Sequence, residues 1–309
     1  MTILGVDGGA TKTHAQIADE NLKVLGEGFS SGSNYRHSSP QTATLRIKEA
    51  VEEAQTNASL RNTKMDSSCL GLAGLDTKED SEVMEKAVAE ILGPLFKKPP
   101  LIINDVQIAF ASGTDSNFGI VLICGTGSHL LGKNQEGEEV QVSGLGRILS
   151  DQGSAYEMGS KALKIATKSY DGRSEKTLLE GLIVQKLGVS NMREAKNVVR
   201  SQNFGKSQIA ELAKLVSEAE KKNDWAAEQI ITETAEELTQ IVYAAVKRLK
   251  MEKLKFDLVL SGSVIQNVTT VREKFETHVK KFAEGVNFII PKHPPVFGAL
   301  KLAKKRVGV

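Results

Sequence analysis

The sequence predicts an α/β protein of two related domains, each built around its own sheet. The chain has 309 residues, which is long for one ordinary core and suits two domains. Apolar strand-like runs alternate with helical stretches in both halves, which is typical of helices packed on a sheet. One plan of strand, glycine-hydroxyl loop, strand, polar turn and strand occurs twice, in residues 3–28 and 119–144.

The first third of the chain predicts five strands and three helices. The strands are expected at residues 2–7, 13–18, 22–29, 68–72 and 100–105. The helices are expected at residues 41–58, 81–93 and 106–112. Apolar residues at helical spacing are expected to lie on one side of the first helix; they are Leu45, Ile47, Val51 and Ala54.

The rest of the chain repeats the opening plan and then becomes mostly helical. A strand at 118–124 opens the second hairpin. The helices are expected at 155–168, 175–187, 191–201, 206–221, 224–250, 268–283 and 295–306, with strands at 256–260 and 286–290. We expect an N-terminal domain over 1–115, joined by the last helix at 295–309, and a C-terminal domain over 116–294 that carries a helical insertion.

Composition and charge exclude several classes of function. A net charge of +2, without a basic tract that has interleaved aromatics, argues against nucleic acid as a partner. No apolar stretch approaches the roughly 18–20 residues of a membrane span. Asp7 interrupts the first apolar run, so no signal peptide is expected. Two lone cysteines, Cys69 and Cys124, favour a reducing cytoplasm over a disulfide framework, a zinc site or an iron–sulfur cluster.

Three glycine-containing loops follow strands and are the candidate ligand-binding segments. They read "DGGAT" at 7–11, "GTGS" at 125–128 and "SGS" at 261–263. Glycine lets backbone N–H groups approach a phosphate without a Cβ in the way, and ligands of open α/β sheets bind where strands end. The first loop fits neither the Walker A nor the dinucleotide pattern. We therefore expect a nucleotide held between the two domains.

The polar residues of these loops have two interpretations. Thr11, Thr13, Thr126 and Ser128 could add hydroxyl donors to a phosphate site. Asp7 ends an apolar strand, and burying a carboxylate there without a partner would cost free energy. It is expected either to cap a turn or to bind Mg²⁺ through water, because Mg²⁺ keeps several waters and takes few protein carboxylates.

These segments together resemble a known superfamily. Asp-Gly-Gly-x-Thr-Lys-Thr, Gly-Thr-Gly-Ser and Ser-Gly-Ser-Val resemble the phosphate 1, phosphate 2 and adenosine motifs of the sugar kinase/Hsp70/actin superfamily. "SDQGSAYEMGSKAL" at 150–163 is similar to the Asp-x-Gly-Ser-Ala-Tyr signature of the BadF/BadG/BcrA/BcrD group, which includes N-acetylglucosamine kinases and archaeal broad-specificity hexokinases. "GSNYRH" at 32–37, "INDVQIAFAS" at 103–112 and "GLGRILSD" at 144–151 fit the same group, so the resemblance covers nearly the whole chain.

The resemblance implies two ribonuclease H-like (actin-like ATPase) domains with an interdomain cleft, and ATP and Mg²⁺ as cofactors. Asp7 is the residue expected to bind the metal, from its position at the end of the first strand. It makes Asp105 the general base that accepts the proton of a sugar 6-hydroxyl as that oxygen attacks the γ-phosphate. Asp105 could also cap the following helix, and both roles are compatible. The implied sugar-binding residues are Asn34, Asn104, Asp105, Gly144, Leu145, Gly146 and Asp151. The implied nucleotide-binding residues are Gly8, Gly9, Thr11, Lys12, Thr13, Gly125, Thr126, Gly127, Ser128, Ala210, Gly262 and Ser263, with Lys12 on the solvent side.

Three positions depart from the group's pattern near the expected sugar pocket. Leu145 stands where tryptophan is frequent in kinases specific for N-acetylglucosamine, Gln152 where an acidic residue is frequent, and Glu157 where tryptophan is frequent. These departures bear on which sugar is bound more than on the kinase chemistry. The chain also lacks the cysteine-rich zinc motif of ROK-type sugar kinases.

The expected function is ATP-dependent phosphorylation of the 6-hydroxyl of a hexose or amino sugar, with N-acetyl-D-glucosamine first. Glucosamine kinase and broad-specificity hexokinase are the alternatives. A more remote one is the ATPase activator of a 2-hydroxyacyl-CoA dehydratase, which holds a [4Fe–4S] cluster with interface cysteines. A nucleotide switch of the Hsp70 kind is not expected, because 309 residues leave no room for its peptide-binding domain. We expect a small sugar as partner, a homodimer, and neither nucleic acid nor a membrane.

Overall fold

The computed structural model describes residues 1–308, which form two compact units. Unit 1 comprises Met1–Ser116 together with the chain end from Pro291, and unit 2 comprises Asn117–Ile290. Each unit contains one five-stranded mixed sheet covered by helices. The predicted α/β class with two central sheets is confirmed.

Most of the predicted elements are present with ends shifted by a few residues. The strands are β1 (Ile3–Gly8), β2 (Lys12–Ala18), β3 (Val24–Ser31), β4 (Ser67–Leu72), β5 (Leu101–Asn104), β6 (Gly119–Cys124), β7 (Ser128–Lys133), β8 (Glu139–Ser143), β9 (Phe256–Ser261) and β10 (Val286–Ile289). The helices are α1 (Pro40–Asn57), α2 (Lys78–Leu92), α3 (Asp105–Gly113), α4 (Ala155–Tyr170), α5 (Leu178–Leu187), α6 (Met192–Val199), α7 (Lys206–Glu211), α8 (Ala213–Glu220), α9 (Trp225–Arg248), α10 (Ser263–Asn267), α11 (Thr269–Lys280) and α12 (Pro295–Lys305).

The two sheets have the same topology. The first has the strand order β3-β2-β1-β4-β5, and the second has the equivalent order β8-β7-β6-β9-β10. In each sheet the first three strands in sequence pair antiparallel, and the next two pair parallel. The repeat predicted from the two hairpins therefore extends to all five strands of each sheet.

Helices cover both faces of the first sheet. Leu4 and Val6 of β1 pack with α1 and α2 on one face, while Ile3 packs with α3 and α12 on the other. A Cβ on Gly5 would lie 2.7 Å from the carbonyl oxygen of Val296, so glycine is needed where α12 crosses β1. The prediction that Leu45 shares one side of α1 with Ile47, Val51 and Ala54 is wrong, because Leu45 is 49% exposed and the other three residues are buried.

The helices of unit 2 depart from the sequence prediction in two places. The single helix expected at 206–221 is two helices, α7 and α8, which meet at Leu212. The Leu212 N–H bonds to the carbonyl of Ile209, three residues back, which tightens the chain into a turn of the 3₁₀ kind. The short α10 was not predicted. Among the described residues, no helix combines the length and apolar character that crossing a bilayer would require.

Candidate active site

In unit 1 the side chains of Asp7 and Asp105 lie where parallel strands end. Gly8 of β1, Leu72 of β4 and Asn104 of β5 are aligned by the register of the sheet. Asp7 is the penultimate residue of β1, and Asp105 follows β5 as the first residue of α3. The sheet thus places both acidic residues at one edge, which is the ligand-binding edge of open α/β sheets.

Asn104, rather than Asp105, is the N-cap of α3. Its side-chain oxygen accepts the Val106 N–H at 2.9 Å, and its amide donates to the carbonyl of Leu75 at 2.9 Å. The Asn104 carboxamide is therefore occupied by structural contacts, although it was predicted to contact sugar. Because Asn104 supplies the cap, the Asp105 carboxylate does not have to serve as one.

Both carboxyl groups have raised pKa values. Burial, and then the nearby charge of Asp105, raise the pKa of Asp7 to about 7, against a smaller opposing effect of Lys12. Burial is also the main cause that raises the pKa of Asp105 to about 6, with a backbone hydrogen bond from Val106 opposing it and Asp76 adding to it. With a pKa of about 6, the Asp105 carboxylate is a stronger proton acceptor than a free aspartate and is still mostly ionised at pH 7.

The first glycine loop is a tight turn whose tip faces solvent. The Gly9 N–H bonds to the Lys12 carbonyl at 3.0 Å, and the Gly9 carbonyl accepts the Ser33 N–H at 3.0 Å. Thr11 and Lys12 are exposed at the tip. Thr13 is fully buried, and its hydroxyl bonds to the Ser31 carbonyl at 2.8 Å. Its side chain therefore supports the hairpin and is not an accessible phosphate donor.

A second loop of unit 1 carries Asn34. This residue caps a short 3₁₀ helix, Tyr35–His37, by accepting the Arg36 N–H at 3.0 Å. Arg36 in turn forms a two-pronged ion pair with Asp80, at 2.7 Å to each oxygen. Burial alone would raise the pKa of Asp80, but hydrogen bonds from Tyr35, Thr77 and Arg36 hold it well below its ordinary value. The loop that presents Asn34 is thereby anchored to α2.

Hydrogen bonds from the start of α4 hold the second glycine loop, residues 125–128. The carbonyl of Gly125 accepts the Ala155 N–H at 2.9 Å, and the carbonyl of Thr126 accepts the Tyr156 N–H at 3.4 Å. In a trans peptide the N–H points opposite to the preceding carbonyl. The N–H groups of Thr126 and Gly127 therefore point away from α4, which is the arrangement an anion needs. Thr126 is exposed at the tip of this loop.

Asp151 is buried against this loop. Its side chain packs on Gly127, where a Cβ would lie 3.0 Å from a carboxylate oxygen. The same carboxylate is 3.4 Å from the Ser128 N–H and 2.7 Å from the ammonium group of Lys206. Asp151 was predicted to contact sugar, and its contacts here are with the glycine loop 125–128 and with Lys206. The Ser128 hydroxyl holds the loop to the Gln152 carbonyl at 2.6 Å.

The remaining predicted residues of unit 2 lie in neighbouring segments. Gly144 and Gly146 have positive φ values of 79° and 85°, and Leu145 between them is 71% exposed. A Cβ on Gly125 would lie 3.8 Å from the Ser263 backbone nitrogen, so the second and third glycine loops are adjacent. Gly262 packs directly on the backbone of Cys124, and Ala210 is buried in α7.

Sequence reasoning missed Lys206 and Asp76. Lys206 stands in "FGKSQIA", the segment that also contains Ala210. A lysine at the start of a short helix does not by itself predict a functional role. Asp76 raises the pKa of Asp105 but stands in a polar loop with no motif around it. Both depend on contacts between residues far apart in the chain.

The described residues contain no group of three or more histidine, cysteine, aspartate or glutamate side chains arranged to hold a metal. Both cysteines are buried. Burial raises the pKa of the Cys69 thiol to about 12 and raises that of Cys124 as well. Thiols of this kind are poor metal ligands, because the thiolate is the ligating form.

Several proteins that the chain resembles in sequence or in fold are named as kinases of amino sugars. The chain is 34% identical over 98% of its length to the N-acetylmuramic acid/N-acetylglucosamine kinase of Clostridium acetobutylicum, of which it covers 98%. It is 29% identical to the N-acetyl-D-glucosamine kinase of Dictyostelium discoideum, over 97% of each chain. Its fold matches the crystal structure of a candidate N-acetylglucosamine kinase from Chromobacterium violaceum with a TM-score of 0.77, at 20% identity over 98% of each chain.

A family model also matches nearly the whole chain. The model of the BadF/BadG/BcrA/BcrD ATPase family matches residues 4–303. That range includes both sheets apart from Ile3, the three glycine loops and the Asp-x-Gly-Ser-Ala-Tyr segment. The chain belongs to the BadF/BadG/BcrA/BcrD ATPase family.

Proposed function

We propose that this protein transfers the γ-phosphoryl group of ATP to the 6-hydroxyl of an amino sugar, with N-acetyl-D-glucosamine as the first candidate. The proposal rests mainly on the position and the environment of Asp105. It lies at the carboxyl end of β5, Asn104 takes over the capping of α3, and burial raises its pKa to about 6. The names of the two kinase relatives, each matched over nearly its whole length, support the same activity.

In the proposed reaction Asp105 accepts the proton of the sugar 6-hydroxyl. The sugar oxygen forms a bond to the γ-phosphorus as the bond between that phosphorus and the β–γ bridging oxygen breaks, and ADP leaves. General-base catalysis of this kind contributes about 10²- to 10⁴-fold. Asn34 and the segment from Gly144 to Gly146 are proposed to bind sugar hydroxyls, and the glycine loops to bind phosphates.

Mg²⁺ would be held at Asp7. Its raised pKa reflects a carboxylate that burial and the charge of Asp105 both disfavour, and a cation beside it would reverse this effect. When bound, the ion neutralises phosphate charge. A single carboxylate with waters suits Mg²⁺, so the residues present fit the ion.

N-acetylmuramic acid is a second candidate substrate. The relative from Clostridium acetobutylicum is named for it, and it carries a carboxylate that N-acetylglucosamine lacks. Arg147 stands in the loop of Gly144 to Gly146, is exposed, and lies 5.9 Å from the centroid of the Tyr156 ring. Its guanidinium group is exposed, so its charge is available to a ligand carboxylate.

The alternative of a dehydratase activator is disfavoured by the cysteines. Cys69 lies in β4 of unit 1 and Cys124 in β6 of unit 2, and both are buried. We further propose the cytoplasm as the location, because both thiols are free. A homodimer is proposed because the edge strand β3 exposes Val24, Leu25 and Phe29, and light scattering on the purified protein measures this directly.

One assay tests the proposed activity. ADP release is measured with glucose, mannose, glucosamine, N-acetylglucosamine, N-acetylmannosamine and N-acetylmuramic acid, and the product is identified by ³¹P NMR. We expect N-acetylglucosamine to give the highest kcat/KM and a phosphate ester at C6. ADP release that does not depend on any sugar would contradict the proposal, and so would a phosphate at C1.

A further inference from the structure

We infer that Lys206 binds a phosphate group of the nucleotide at the glycine loop 125–128, and that Asp151 positions its ammonium group. The inference rests on the proposed function, because it takes the ligand to be ATP or ADP. Nothing in the glycine motifs themselves assigns a cation to this loop. The positive charge comes from α7, which lies about 80 residues further along the chain.

The environment of Asp151 favours a cation beside the glycine loop 125–128. It is 4% exposed and has a φ of +65°, a left-handed conformation that is uncommon for a residue other than glycine. Such a conformation persists only where the surroundings enforce it, and it is frequent at binding sites. An aspartate this buried needs a compensating charge, and the Lys206 ammonium group supplies it at 2.7 Å.

The ammonium group is nevertheless accessible to a ligand. The Lys206 side chain is 36% exposed, whereas its partner is buried. An ammonium group has three donors, and the structure shows one of them directed at Asp151. A second donor can therefore reach an anion without breaking the ion pair.

The same carboxylate contacts both the cation and the loop. Asp151 packs on Gly127 and lies 3.4 Å from the Ser128 nitrogen, so it places the ammonium group next to the loop's backbone. The N–H groups of Thr126 and Gly127 point away from α4, since the carbonyls preceding them bond to α4. A phosphate at those N–H groups gains an ion pair with Lys206. Backbone donors with an added lysine are the usual composition of a phosphate site.

The position of α7 is fixed by its contact with α4. Gly159 of α4 lies against the carbonyl of Ile209, where a Cβ would come within 1.9 Å. Lys206 and Ala210 are four residues apart on α7 and so lie on one side of it. Ala210 is the position that the family resemblance places near adenine, and Lys206 would stand beside the phosphates of the same nucleotide.

The test measures nucleotide affinity by titration calorimetry on the full chain. Lys206→Met removes the charge and keeps the length of the side chain, and Lys206→Arg keeps the charge. Lys214→Met is the matched control, because that lysine is exposed and pairs with Glu211 in the adjoining helical segment. We expect Lys206→Met to weaken ADP binding roughly 10- to 100-fold, and Lys206→Arg and Lys214→Met to change it little.

Two further measurements separate phosphate binding from a purely structural role. Adenosine affinity should be unchanged in Lys206→Met, because adenosine has no phosphate. The double variant Lys206→Met/Asp151→Asn removes both charges and so leaves no buried carboxylate without a partner. If Lys206 binds phosphate, the double variant still binds ADP weakly.

The results that would overturn the inference are distinct from a failure of the proposed function. Normal ADP affinity in Lys206→Met, restored ADP affinity in the double variant, or equal losses for adenosine and ADP would each exclude a phosphate contact. A loss of sugar affinity alone would assign Lys206 to the sugar instead. If the unaltered protein binds ADP and releases it from ATP in the presence of sugar, the proposed function stands whatever these variants show.

Discussion

At the scale of single residues, the fold disfavours the ionised forms of Asp7 and Asp105 in unit 1. Burial raises the pKa of both Asp7 and Asp105, which means that ionising them in the folded protein costs free energy. Asp80 has the opposite environment, because the hydrogen bonds from Arg36, Thr77 and Tyr35 favour its charged form. Burial without such partners is frequent at catalytic sites.

The pKa of Asp105 predicts the acid limb of the activity. The base must be ionised, so kcat/KM for the sugar should fall about tenfold for each pH unit below pH 6 and level off above it. Product should be measured directly by ³¹P NMR, so that coupling enzymes do not contribute their own pH dependence. A profile that stays flat from pH 7 down to pH 5 would contradict this assignment.

The same shift predicts an effect on stability. The folded pKa of about 6 is above the ordinary aspartate value of 3.8, so Asp105 destabilises the fold at high pH, and this penalty disappears as the pH falls through 6 towards 4. Asp105→Asn should therefore raise the free energy of unfolding at pH 8 by about 2 kcal/mol and by less at pH 5. Urea unfolding at both pH values measures the difference.

The control for this variant is Glu85→Gln on the exposed side of α2. It should change the free energy of unfolding by less than about 0.5 kcal/mol at either pH. An Asp105→Asn variant that is less stable than the unaltered protein at pH 8 would show that the carboxylate is favourably bound in the fold, contrary to the raised pKa.

At the scale of elements, the hairpins were predictable and the helical region was less so. Both glycine hairpins follow from apolar runs, a glycine turn and a polar turn within about 26 residues. The division of 206–221 into α7 and α8 was not predicted, because the residues around Leu212 keep an apolar spacing that continuous helix also has. Leu45 shows the same limit, since spacing alone cannot say where the edge of a buried face lies.

The contact between α4 and α7 gives a prediction at this scale. In Gly159→Ala the added methyl group would lie 1.9 Å from the Ile209 carbonyl, so α7 must shift. We expect a loss of about 2–4 kcal/mol in the free energy of unfolding, as in overpacked cores, together with weaker ADP binding.

Gly181→Ala is the control for this substitution. Gly181 is exposed in α5, and a Cβ there meets nothing within 4 Å. Alanine is the better helix former, so this variant should gain up to about 1 kcal/mol. Equal stability of the two alanine variants would mean that α7 does not pack on α4 as described.

At the scale of the whole molecule, two units of one topology come from a chain whose two halves share little identity. The sequence repeats one order of element types and glycine loops, and the two sheets that form from it have the same strand order and strand directions. The individual site residues were harder to predict. Asp105 and the glycine loops follow from motif and position, whereas Lys206 is joined to Asp151 across 55 residues, which no local pattern encodes.

Removal of the last helix should affect one unit only. Helix α12 packs on β1 and α3 within unit 1, through Ala299, Leu300 and Ala303. A chain that ends at Ile290 should therefore lose the folding of residues 1–116, while residues 117–290 stay folded. Hydrogen exchange followed by mass spectrometry distinguishes the two regions. Protection of β1 equal to that in the full chain would contradict the role given to α12.

The central claim is that Asp105 is the base of a sugar-phosphorylating reaction, and the kcat of Asp105→Asn tests it most directly. ADP release with saturating ATP and N-acetylglucosamine should fall by about 10²- to 10⁴-fold. The affinity for the sugar, measured by calorimetry, should stay within a few-fold of the unaltered protein. A kcat within about tenfold of the unaltered value, in a variant that folds and binds sugar, would contradict the account.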